Sequence, residues 1–96
     1  MIERTQDYRR VKRLAPKWDL VVSDEIYYLV ETEAGEDLGA ICFHPCDEDG
    51  LLMHVALGEK CRGARAGKAY RNAFAWMFEN TEIETLLGRI PDTYQH

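Results

Sequence analysis

Between Leu51 and Glu79 an apolar run, Leu51-Leu52-Met53-His54-Val55-Ala56-Leu57, gives way to Arg62-Gly63-Ala64-Arg65-Ala66-Gly67-Lys68 and then to a helix-patterned segment. A strand that turns through such a loop into a helix aims unpaired backbone N–H groups and the positive end of a helix dipole at one point. Dense negative charge suits that point, so the spacing predicts a seat for a phosphate or pyrophosphate. Arg62, Arg65 or Lys68 would add charge-assisted contacts of about 1.5–3 kcal/mol each. Candidates for a general base are few: His54 on the strand and Glu59 just after it, with Glu25 and Glu31 more remote. Cys42, His44 and Cys46, spaced by two, would share one face of an extended strand. No Cys-x-x-Cys or His-x-x-x-His pairing accompanies them, and no metal site is assigned. Cys61, beside the cationic loop, is a candidate oxidisable thiol.

The elements that must hold these residues follow from periodicity. Thr5 or Asp7 caps a short helix through about Leu14, ended by Pro16, with Tyr8, Val11, Leu14 and Ala15 at three- and four-residue spacings. The aromatic and β-branched run 26–32 and the run 38–44 read as two strands of a hairpin around Glu33-Ala34-Gly35-Glu36-Asp37. Pro45 to Gly50 forms a second polar turn, which makes 51–57 the third strand of an antiparallel meander. From Ala66 the period changes, and Ala66, Ala69, Tyr70, Ala73, Phe74, Met77 and Phe78 fall on one helical stripe. Ile83 to Ile90 reads as a further strand, so strand, basic turn, helix and strand make a βαβ unit in which 51–57 and 83–90 run parallel. Asp92 or Thr93 sits where a next helix would be capped. The aromatic residues Trp18, Trp76 and Phe78 are read as core packing, and of Tyr27 and Tyr28, which point to opposite faces, only one is expected in the core.

Ninety-six residues, 46% hydrophobic and 30% charged, make one domain spanning 1–96, with no apolar run long enough for a membrane span. No apolar leader follows Met1, and three cysteines form no paired framework, so a reducing, cytoplasmic setting is expected. The net charge of −5 is laid out in blocks. Six bases face two acids in 1–17, eleven acids and no Lys or Arg occupy 19–59, and five bases occupy 60–72. An acidic domain with solvated basic blocks argues against nucleic acid.

The meander followed by the stretch 51–96 resembles the GNAT superfamily of N-acetyltransferases, and specifically its small phage-encoded branch. Arg62 matches the leading Arg/Gln of that family's Gln/Arg-x-x-Gly-x-Gly/Ala turn and Gly67 its last glycine, while Arg65 replaces the central glycine. The resemblance implies an α+β, three-layer GNAT-like fold: a mixed sheet whose antiparallel meander leads into a βαβ unit, without the family's C-terminal helix and strands. It implies acetyl-CoA as co-substrate, a bulge near Val55, Ala56 and Leu57 whose backbone pairs with the pantetheine arm and polarises the acetyl carbonyl, and a pyrophosphate turn at Arg62, Gly63, Ala64, Arg65, Ala66, Gly67 and Lys68. His54 and Glu59 are the candidate bases. An amine of a protein lysine or of a small molecule is the expected acceptor, and the acidic meander would suit a cationic one. The alternative is an inactive protein of the same fold acting in phage assembly or on a host factor, in the host cytoplasm. In either case a second copy, a partner or a further C-terminal segment would cover the open sheet edge at Ile83 to Ile90.

Overall fold

The computed structural model describes residues 1–45, 51–59 and 61–81. In chain order these form β1 (Ile2–Arg4), α1 (Tyr8–Leu14), β2 (Tyr27–Glu33), β3 (Glu36–Pro45), β4 (Leu51–Leu57) and α2 (Ala64–Asn80). The fold is α+β: four antiparallel strands in the order β1-β2-β3-β4. The strand expected at 83–90, its parallel pairing with β4, the cap at Asp92 or Thr93, and Cys46 lie outside the described residues.

Alternation along the strands divides the side chains between two faces. Leu29, Ile41, Phe43 and Met53 meet Cys61, Ala69, Ala73 and Met77 in one buried cluster under α2. Tyr28, Ala40 and Cys42 meet Val11 of α1 in a second cluster on the opposite face. The helix α2 buries the row 69-73-77, a fourfold spacing that stacks small, small and large side chains against the sheet. Phe78, expected on that stripe, is 46% exposed because it ends the flanking row 70-74-78. Tyr27 and Tyr28 do point to opposite faces, yet both pack. Tyr28 sits in the α1 cluster, while Tyr27 takes Trp76 against its ring at 5.9 Å and the Arg4 guanidinium at 4.3 Å.

The β2–β3 hairpin turns through Ala34 and Gly35, both at positive φ (52° and 80°), as a two-residue turn of the primed type requires. Beyond it the ladder slips by one residue. Glu31 pairs with Gly39 and Thr32 with Asp37, which leaves Leu38 as an extra residue on β3. The bulge turns Leu38 into the α2 cluster beside Gly39 and sends Asp37 to the α1 face. Crowding follows at Gly39, where a Cβ would meet the Ala56 carbonyl oxygen at 2.8 Å and the Leu57 Cα at 2.9 Å. On the α1 face Arg10 donates to both Asp37 oxygens, at 2.8 and 2.6 Å, and to Glu3 at 2.6 Å. Asp7 caps α1 by accepting from the Arg10 N–H at 3.2 Å. The strand β1 escapes a periodicity reading because it is three residues long and two of them are charged.

Candidate functional site

The bulge that the resemblance implies near Val55 to Leu57 is not found on the β3 side of β4. That ladder runs without a slip from Pro45 opposite Leu51 to Gly39 opposite Leu57, and the slip in this sheet lies in β3. The Gly58 N–H continues the pairing onto the Leu38 carbonyl at 3.0 Å. With Gly58 facing β3, antiparallel alternation turns the N–H and C=O groups of Val55 and Leu57 to the outer edge, which no described strand pairs. An extended arm carrying amides, such as pantetheine, finds a matching hydrogen-bonding edge there without a bulge.

Past β4 the chain turns at Gly58 to Cys61, whose N–H bonds the Gly58 carbonyl at 3.0 Å, and enters α2 through Gly63. Gly63 is the N-cap, at φ 59° and ψ −124°, and supplies no side-chain cap. This backbone conformation belongs to glycine, and among the described residues no atom beyond its chain neighbours lies within 4 Å of where a Cβ would stand, so glycine is needed for conformation and not for space. Gly67, by contrast, is helical, and a Cβ there would meet only Arg71 Nη1 at 3.4 Å. In the first turn the Arg65 N–H bonds the Arg62 carbonyl at 3.2 Å, and Ala64 and Ala66 occupy positions whose N–H groups have no intrahelical acceptor. Arg62, Arg65 and Lys68 are exposed around this helix start. The Arg65 guanidinium reaches Glu33 at 3.4 Å, toward the β2–β3 hairpin. The residues present therefore fit a pyrophosphate, with one of the expected cations already engaged by a carboxylate.

On the opposite face of β4 a groove of about 740 Å³ opens between the sheet and the 15–21 segment. Trp18 and Val21 wall it on one side, and Tyr28, Cys42, His44 and His54 on the other. The Tyr28 hydroxyl ties the wall down, accepting from the Val21 N–H at 3.0 Å, and burial raises its pKa. His54 stands opposite Cys42 in the ladder, with His44 two residues along on the same face. The two imidazoles lie nearly coplanar and edge to edge, with ring centroids 4.8 Å apart, 11° between planes and Nε2 atoms 2.7 Å apart. Trp18 presents an edge to His54 at 6.2 Å. Burial first, and then the charge of His44, lower the His54 pKa below the ordinary histidine value, so His54 is neutral at pH 7. The neighbour that shapes it is His44, which the sequence reading grouped with the cysteines. The signal that could have found the pair is the hairpin register.

The other candidates fare differently. Glu59 is exposed in the turn after β4 and is not among the groove residues. Glu31 is 4% exposed on the α2 face, held by the Met1 ammonium at 2.7 Å and by Asn72 Nδ2 at 3.2 and 3.3 Å. Cys61 is buried, and burial with nearby Glu31 raises its thiol pKa despite Arg65, which corrects the expectation of an oxidisable thiol. Burial likewise pushes Cys42 up to about 12. The described residues contain no group of three or more His, Cys, Asp or Glu able to hold a metal ion, and no helix long and apolar enough to cross a membrane. The acids expected to attract a cationic acceptor are in part paired within the fold: Glu31 as above, Glu33 with Arg65, and Asp37 with Arg10.

Comparison with protein-family models and with curated protein sequences finds no significant match. Among solved structures the chain superimposes on a ribosomal-protein-alanine N-acetyltransferase from Brucella melitensis biovar Abortus 2308. The TM-score is 0.68 at 16% identity, covering 98% of this chain and 82% of that one. The likeness is one of fold, to a GNAT-family enzyme, and it carries no information on phage origin.

Proposed function

We propose that this chain is an acetyl-CoA-dependent N-acetyltransferase. The observation that supports the reading best is the double use of β4. Its outer edge, which no described strand pairs, leads into the Gly63-capped start of α2, and its inner face carries His54 into a groove. When bound, acetyl-CoA supplies an acetyl thioester. The chain's own work is then to hold the pantetheine arm along the Val55–Leu57 edge, to seat the pyrophosphate between 62 and 68, and to deprotonate an amine in the groove. Outward N–H groups of β4 are aimed where the acetyl carbonyl gathers negative charge. His54, neutral at pH 7, takes the proton as the amine nitrogen bonds the carbonyl carbon and the C–S bond breaks. Because the walls are largely apolar and the one acid among the lining residues, Asp19, is offset by Lys17, the groove suits an amine on an apolar stem better than a polycation.

Calorimetric titration with acetyl-CoA, on the wild type and on Gly67→Asp, tests the reading. We expect saturable heat from the wild type. The variant should bind more weakly, because it sets a carboxylate at the phosphate seat, while its melting is unchanged or raised by an acid near the helix start. Absence of heat at high micromolar acetyl-CoA would sink the transferase reading. Unchanged affinity in Gly67→Asp would move the pyrophosphate elsewhere.

A further inference from the structure

The contacts of the histidine pair assign its protons. His44 Nδ1 lies 3.1 Å from the Pro45 carbonyl oxygen, which can only accept, so Nδ1 of His44 carries hydrogen. Neutral His44 then has a bare Nε2. Its 2.7 Å contact with His54 Nε2 requires His54 to be the donor, and this leaves Nδ1 of His54 without a proton. Two doubly protonated rings would set N–H against N–H across that contact, so in this geometry the pair holds at most one added proton. The other groups lining the groove that bear on this charge are Lys17 and Asp19 from the 15–21 segment, Tyr28 from β2 and Cys42 from β3. Tyr28 is engaged by the Val21 backbone.

From this we infer that His44 is a positioning residue: by accepting from His54 Nε2–H across the β3–β4 ladder, it fixes His54 in the tautomer whose Nδ1 accepts the proton of an incoming amine. The catalytic half of this inference rests on the acetyltransferase reading; the tautomer half does not. On proton transfer His54 gains a hydrogen at Nδ1 and becomes imidazolium, and its Nε2–H bond to neutral His44 becomes charge-assisted. No other bond changes within the pair. His44 thus does for His54 what a carboxylate does for the histidine of a hydrolase triad, with the difference that it brings no charge of its own.

Two-bond proton–nitrogen correlation spectra of 15N-labelled protein across pH, assigned with single-histidine variants, read the tautomers directly. We expect the Nδ1–H form for His44 and the Nε2–H form for His54 at pH values where both rings are neutral. The reverse assignment, or averaged tautomers in both rings, would overturn the inference whether or not the protein turns over. Two variants separate acceptance from packing. His44→Phe keeps an aromatic ring at this position and removes the acceptor, and it should lower kcat about tenfold with the KM for acetyl-CoA unchanged. His44→Gln, whose amide oxygen can accept, should recover most of that loss. Equal activity in the wild type and His44→Phe would refute the role, as would equal impairment in the two variants. If the wild type shows no turnover with any amine, the transferase reading fails, and the spectra alone decide whether the lock exists.

Discussion

Replacing Gly63 by L-alanine should destabilise the protein through backbone conformation alone. At φ 59° and ψ −124° an L-residue is held in a region its Cβ disfavours, and such a residue costs of order 1–3 kcal/mol. Among the described residues no atom beyond its chain neighbours lies within 4 Å of the new methyl, so no clash adds to that figure. For a domain near 100 residues each kcal/mol shifts the midpoint by roughly 4–8 °C, so a melting-point loss of about 8–16 °C is expected for a mid-range 2 kcal/mol. The mirror-image control isolates the cause. D-alanine at the same angles is the enantiomer of an L-residue at φ near −59° and ψ near 124°, an extended conformation any L-residue adopts, so Gly63→D-Ala should melt at or slightly above the wild type. The chain suits the synthesis, since Cys61 allows a 1–60 thioester to be ligated to a synthetic 61–96 peptide. Circular dichroism melts of the three ligated proteins decide the matter, with acetyl-CoA titration alongside. If L- and D-alanine variants melt together, the conformation at the α2 N-cap is not what glycine supplies there. If D-alanine holds the fold and abolishes binding, Gly63 serves close approach of a ligand as well.

Three further outcomes are expected. Ala34 at φ 52° carries a left-handed backbone that costs an L-residue roughly 1–2 kcal/mol, and Ala34→Asn should recover about 1 kcal/mol in denaturant titration without a change in slope. Gly39→Ala drives a methyl against the backbone of β4 and should cost about 1–3 kcal/mol, read in the same titration and unrelieved by trimming Leu57, because the Ala56 carbonyl stays in the way. The hydrogen bonds from Arg10 hold the Asp37 carboxyl below its ordinary pKa, so its contribution is fully present above about pH 4, the unfolded value, and is lost as pH falls through the lower folded value. Stability measured from pH 6 to 2 should fall more steeply in the wild type than in Asp37→Asn, and parallel curves would refute the linkage.

What could be read in the sequence was what local pattern determines. Alternating residues gave the three strands of the meander, the 3.6-residue stripe gave α2, and the cap of α1 was narrowed to Thr5 or Asp7, of which the structure selects Asp7. The glycine-bearing entry to α2 was legible because its conformation lies in neighbouring backbone. Long-range pairing was not legible. Glu31 looked like a spare carboxylate until Met1 and Asn72, 30 and 41 residues away, were brought to it. Arg65 sits beside the turn in sequence, but its ion pair with Glu33 across the hairpin was not legible. His44 and His54 are ten residues apart, and only the register that sets Cys42 opposite His54 puts the two rings on one face. Cys61 looked activated by the charges beside it in the chain, but burial outweighs them.

The extra residue at Leu38 also limits how this hairpin can change in length. Every strand position beyond it owes its choice of face to one unpaired residue, since without the slip Asp37 would leave Arg10 or Gly39 would leave the crowded seam beneath β4. A single insertion or deletion within the paired residues between Thr32 and Asp37, if the turn did not absorb it, would exchange the two cores along one strand, whereas loss of Leu38 itself would regularise the ladder and keep all other residues on their present sides. Among descendants of this sequence, length variation in the β2–β3 segment is therefore expected in the turn itself, in paired steps, or at that one residue.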